Sequence, residues 1–124
     1  FYWDGTVHKL IPPITQLVSA VTANKTETGT DKITIVTNEG ATAKPQITLD
    51  AFPSGTRRIF VVQDSDGLRV YPSAGRTIRV NTSVSGTGTA GYIESTTVGS
   101  CIELVAVNSS QWFALNSIGT WSVV

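Results

Sequence analysis

Residues 99–124 read GSCIELVAVNSSQWFALNSIGTWSVV, and this stretch decides the fold class. The run from Ser100 to Val107 is apolar and rich in Val, and it stops at Asn108-Ser109-Ser110, a turn composition. Gln111-Trp112-Phe113-Ala114-Leu115 resumes the apolar pattern, so the segment reads as two strands. After a turn at Gly119 the sequence finishes on Trp121-Ser122-Val123-Val124. An ending that carries a Trp and two Val has too much apolar surface to hang in water. It is expected to close a sheet or to meet another copy of the chain, with Trp112 and Trp121 packing the C-terminal region.

Outward from this segment, the vocabulary from Thr26 onward is Thr, Val, Ile, Ser and Gly. Strands are predicted at 32–37, at 46–49 behind Pro45, at 57–63, at 68–71, at 77–80 and at 92–94. The segment Arg57 to Gln63 is the most hydrophobic of these and is placed centrally. Leu68-Arg69-Val70-Tyr71 alternates, which suggests one wet face. With the C-terminal strands this makes about nine short strands at a cadence that favours a sandwich or jelly roll.

Residues 1–25 differ. Trp3, Val7, Leu10, Ile14, Leu17 and Val21 follow steps of four and three, the spacing of a coiled-coil seam, interrupted at Pro12-Pro13. The reading places a helix from Pro13 to about Ala23, with Ile14, Leu17, Val18 and Val21 on one face. Three turns are marginal alone in water, so this helix needs a partner, either the domain's own sheet or neighbouring copies. The domain division is therefore a lead-in with a short helix at 1–25 and a β-sandwich at 26–124.

With 124 residues the chain is expected to form one domain with one core. Nine basic and nine acidic residues give zero net charge, so there is no basic field to attract nucleic acid, and low net charge permits self-association. No apolar run is long enough to span a bilayer. One Cys and one His, Cys101 and His8, exclude a disulfide framework and a structural zinc site. Cys101 is expected as a small buried thiol. The absence of an initiating Met and of a signal-like segment suggests a piece of a longer chain.

Candidate chemistry is weighed residue by residue. Gly86, Gly88 and Gly91 match G-x-G-x-x-G, but a β-like segment follows them where a dinucleotide site needs a helix. Asp64-Ser65-Asp66-Gly67 has the flavour of a calcium loop and lacks the rest of the ligand series, so a tight turn is favoured. Glu94 and Glu103 fall on neighbouring predicted strands and could form a glycosidase-like carboxylate pair. The competing reading pairs each with Arg57, Arg58, Arg69, Arg76 or Arg79, or points it at solvent. His8 is assigned to the surface. Tyr71, Tyr92, Trp112 and Trp121 are either sugar-stacking residues or packing anchors, and packing is favoured for most of them. No cofactor or metal is expected, and no catalytic residue is assigned.

The C-terminal pattern Gly99 to Val105, a short polar turn, Gln111 to Leu115 and then Gly119-Thr120-Trp121 resembles the closing hairpin of trimeric tail-needle and tail-fibre tips of tailed bacteriophages. The heptad-like lead-in adds to the resemblance. What it implies is a jelly roll like the tumour-necrosis-factor fold, homotrimeric about a long axis, as the knob at the end of a stalk. It also implies a non-enzymatic virion component that contacts or penetrates the host cell envelope, joined to the rest of the phage tail by the preceding stalk. Ile14, Leu17 and Val21 are the expected trimer contacts. The loops at 64–67 and 84–91, with Asp64, Asp66, Gly86 and Gly88, are the candidate exposed tip. The rival is a lectin-like adhesin module that recognises a host surface glycan through residues such as Tyr71 and Tyr92. A small hydrolase acting through Glu94 and Glu103 is the third reading.

Overall fold

β-Branched and aromatic residues suit a pleated, half-buried surface. The computed structural model, which describes residues 17–27 and 33–124, forms twelve strands among those residues. These are β1 (Leu17–Ala20), β2 (Lys25–Glu27), β3 (Ile33–Thr37), β4 (Gln46–Leu49), β5 (Arg57–Val61) and β6 (Leu68–Tyr71). They continue with β7 (Thr77–Val80), β8 (Ser83–Val84), β9 (Ile93–Ser95), β10 (Cys101–Asn108), β11 (Gln111–Ile118) and β12 (Ser122–Val123). A 3-10 turn, Gly88–Ala90, precedes β9.

The strands build two sheets, one of seven strands in the order β1-β3-β5-β10-β11-β7-β8 and one of five in the order β12-β9-β6-β4-β2. The first six strands alternate between the sheets, odd in the larger and even in the smaller. Each is parallel to the strand two before it. Parallel neighbours normally need a long crossover, and here the strand in the opposite sheet is that crossover. The N-terminal half therefore coils as a flattened solenoid, and antiparallel strands β9 to β12 close it.

Two expectations change here. The sandwich is present, but its connectivity is not that of an antiparallel jelly roll, because both sheets are mixed. The helix predicted from Pro13 to Ala23 gives way at Leu17–Ala20 to strand β1, which pairs in parallel with β3. A three-turn helix with Val18, Val21 and Thr22 gains less from its own bonds than this backbone gains from a sheet edge. Residues 13–16 of that helix, Trp3, Val7, Leu10 and Ile14 of the seam, and His8 lie outside the described residues. The expected boundary at 25/26 falls inside β2.

Alternation along each strand sorts inner from outer face. β10 buries Ile102, Leu104 and Ala106, and β6 buries Leu68 and Val70. The inner faces meet in one cluster that includes Phe60 and Trp112 from the larger sheet and Ile47, Leu49 and Ile93 from the smaller. Full burial contributes about 1.5–3 kcal/mol for each large aliphatic or Phe side chain. Trp112 is fully buried at the centre and meets Phe52 edge to face, with ring centroids 5.8 Å apart. Trp121 packs against the cluster's margin and donates from Nε1 to the carbonyls of Cys101 and Ile118. Cys101 is a correction: it alternates with buried Ile102, so it is half-buried on the outer side of the sheet.

Strand directions give the sandwich two ends. The chain enters β1 at Leu17 on one end, where residues 50–56, 72–76, 85–92 and 109–110 also turn. Residues 38–45, 62–67, 81–82 and 96–100 turn at the other end.

Candidate functional site

The outer face of the five-stranded sheet carries the densest polar network among the described residues. β4, β6 and β9 lie side by side, and their register aligns Gln46 with Arg69 and Arg69 with Glu94. Because side chains alternate along a strand, these three share the outer face while Ile47, Val70 and Ile93 fill the core. The next row aligns Thr26 of β2, Thr48 of β4 and Tyr71 of β6.

Glu94 is the electrostatic centre of this face. It accepts from Arg69 Nε at 2.6 Å and from Lys44 Nζ at 2.8 Å. Partial burial pushes the Glu94 carboxyl up, but the hydrogen bonds and charges of Lys44 and Arg69 outweigh it and hold the group below its ordinary value. Arg69 also donates to Tyr71 Oη at 3.2 Å, and the hydrogen bonds to Tyr71 and Glu94 raise its own pKa. Its guanidinium lies 4.0 Å from the centre of the Tyr92 ring, a cation–π contact. Tyr71 and Tyr92 meet edge to face at 5.6 Å, and Tyr71 Oη donates to Gln46 Oε1 at 3.4 Å. Each aromatic ring is thus held by charged or polar neighbours.

Beside this network lies an open groove of about 230 Å³ lined by Asn24, Lys25, Thr26, Gln46 and Thr48. Asn24 Oδ1 accepts from the Gln46 backbone N–H at 3.0 Å, which fixes the corner between β1 and β2 against β4. Lys25 leans on Glu27 at 3.1 Å. Glu27 is itself 2% exposed and also faces Arg58 at 3.7 Å, so this carboxylate is buried beside two cations.

The structure separates the two glutamates that the sequence places on neighbouring strands. Glu94 is on β9 of the smaller sheet and Glu103 on β10 of the larger, on opposite outer faces of the sandwich. Glu103 pairs with Arg57 at 3.2 Å. The competing reading, in which arginines neutralise both, is the one observed. Lys44, the second cation on Glu94, had no signal in the sequence, because it sits in a loop distant from β9 along the chain.

The remaining candidates are dispersed. Leu17 opens β1, Ile14 lies outside the described residues, and Val21 is 4% exposed inside the core cluster, where it packs within its own chain. Asp64-Ser65-Asp66-Gly67 forms a tight turn: Gly67 N–H reaches the Asp64 carbonyl at 3.0 Å and Asp66 N–H reaches Asp64 Oδ1 at 2.9 Å. Gly67 adopts a φ of 86°, the left-handed region, and a Cβ there would meet the Ser95 carbonyl oxygen at 2.7 Å. Gly86, Gly88 and Gly91 lie around the 3-10 turn, and strand β9 follows instead of a helix. That loop is tied to the chain's end, since Gly86 N–H and Tyr92 N–H both donate to the Val124 carbonyl. The loops at 64–67 and 84–91 sit at opposite ends of the sandwich, so they do not form one tip.

No protein-family model matches the chain, and no curated protein matches it. Among the described residues no group of three His, Cys, Asp or Glu side chains is arranged to hold a metal ion, and no helix is long and apolar enough to cross a membrane.

Proposed function

We propose that this chain is the non-enzymatic distal tip of a bacteriophage tail needle or tail fibre. It acts as a homotrimeric virion component that contacts or penetrates the host cell envelope. The sequence resemblance of the C-terminal hairpin is one support. The observation that carries the reading is the outer face of the seven-stranded sheet. The register aligns Val18, Ile35 and Ile59 in one row, and Val61, Cys101 and Ile118 in the next. Val105 and Phe113 extend the face toward β7. Val18 and Ile118 are more than 60% exposed, while the other outer face carries Thr, Gln, Arg, Tyr and Glu. The same rows also carry Glu103 beside Ile59, Asn116 beside Glu103 and Arg79 beside Phe113, so this face presents apolar patches among polar groups, and exposed patches of that kind favour being covered.

The polarity of the chain supports the same assignment. A stalk preceding β1 joins the end at which Leu17 enters, so the distal surface is the opposite end, with residues 38–45, 62–67 and 96–100. In this reading Asp64 and Asp66 belong to the tip, and Gly86 and Gly88 to the stalk side. Three copies on one axis add weak contacts through effective concentration. Sedimentation equilibrium over a wide concentration range tests the proposal. A species of three chains is expected, and a monomer at every concentration would remove it.

A second reading, a lectin-like adhesin module, is favoured by the rigid Tyr71–Tyr92–Arg69 cluster on the polar face. In this reading Tyr71→Ala abolishes binding to a host surface glycan.

A further inference from the structure

We infer that the groove between β2 and β4 is a subsite for an uncharged, hydroxyl-rich ligand, a neutral oligosaccharide. The inference rests on the glycan-binding reading and gives it a place and a ligand class. Its first support is a set of polar groups without a partner. Among the described residues no hydrogen bond engages the hydroxyls of Thr26 and Thr48, Asn24 Nδ2 or Gln46 Nε2, although all four residues line the groove. Hydroxyls both donate and accept, and amide nitrogens donate, so the set matches the mixed demands of sugar hydroxyls.

The second support is the state of the charges. Glu94 is engaged by both Lys44 and Arg69, and Lys25 is engaged by Glu27. Each formal charge bordering the groove already has an opposite partner at hydrogen-bonding range, so recognition falls to neutral groups. The third support is the aromatic border. Tyr71 stands beside Thr48 in the sheet register, and its ring is fixed by Arg69 and Tyr92. A ring held in place offers stacking area with little ordering cost.

An array of neutral and anionic bacterial oligosaccharides, probed with the parent chain and with Thr26→Lys, Thr48→Lys and Val98→Ser, tests the inference. Thermal melts are recorded alongside. The parent is expected to bind at least one neutral oligosaccharide saturably. Each lysine variant should weaken that binding at least tenfold at an unchanged Tm, and Val98→Ser, in the turn after β9 and across the sheet from β2, should not. Thr26 is exposed, so its variant decides the matter if Thr48→Lys lowers the Tm. Neutral-sugar binding that survives both lysines would overturn the groove and leave the glycan reading standing. No binding to any oligosaccharide would end both, and binding confined to anionic sugars would overturn the ligand class.

Discussion

The side-chain amide of Asn38, fully buried, has every polar direction in use. Its Nδ2 donates to the carbonyls of Asp64 and Gly67 at 2.9 and 2.8 Å, and its Oδ1 accepts from the N–H groups of Gln63 and Asp64 at 2.7 and 2.9 Å. One side chain thus ties the β3–β4 loop to the turn between β5 and β6. Asn38→Ala strips partners from four backbone groups at once and is expected to cost about 2–4 kcal/mol, read from urea denaturation. Glu94 supplies a pH-dependent counterpart. Its folded pKa is depressed, so its contribution is present above the ordinary carboxylate value of 4.5 and is lost as pH falls through the lower folded value. The stability gap between the parent and Glu94→Gln is therefore expected to be widest at neutral pH and to close on acidification. A gap that is constant with pH would show that the carboxylate's charge contributes nothing. Neither role was legible beforehand: an Asn before a Glu-Gly pair reads as turn chemistry, and a lone Glu in a strand does not announce its cations.

At the scale of elements, the C-terminal hairpin is the part most fully read from the sequence. β10 and β11 pair antiparallel in the middle of the larger sheet, and β12 pairs with β9 at the edge of the smaller one. The apolar ending therefore closes a sheet, one of the two outcomes expected for it. Trp112 shows what the hairpin does for the core. Its ring fills the centre against Phe52, yet its Nε1 finds no hydrogen-bond partner among the described residues. Trp112→Ala is expected to cost about 3–5 kcal/mol through the cavity it leaves. Trp112→Phe keeps an aromatic ring there and removes the unpaired N–H, so it should cost less than half as much in the same denaturation assay. Equal losses would mean that shape complementarity of the indole dominates. At Leu17–Ala20 the helix reading fails for a physical reason. Steps of three and four place apolar residues on one helical face, but Leu17 to Ala20 serve a strand once β3 offers parallel backbone partners.

For the whole molecule, the apolar patches on the outer face of the larger sheet are the main consequence. In the trimer reading these patches are covered, so a charge placed there acts on association before stability. Ile59→Lys and Phe113→Lys are each expected to shift the sedimentation profile to single chains while the Tm at low protein concentration changes little, since both side chains point away from the core. If either variant stays associated, copies meet through another surface. The separation of the 64–67 and 84–91 loops to opposite ends also assigns direction: the entry end carries the C-terminal carbonyl contacts, and the far end carries the Asn38-stapled loops.

The β class, nearly every strand after residue 32 and the turn at Asp64–Gly67 were legible in the sequence. These depend on composition and on a period of two, which are properties of neighbours along the chain. Which strands lie side by side, that the first six run parallel within each of two sheets, and that Glu94 and Glu103 face away from each other follow from the tertiary fold alone. It also decided that Thr26, Gln46, Thr48 and Tyr71 share one face. Alternation specifies which way a side chain points relative to its own strand, and a strand reads the same whether its neighbour is parallel or antiparallel. The partner is chosen by burial over the whole fold, which no local stretch contains.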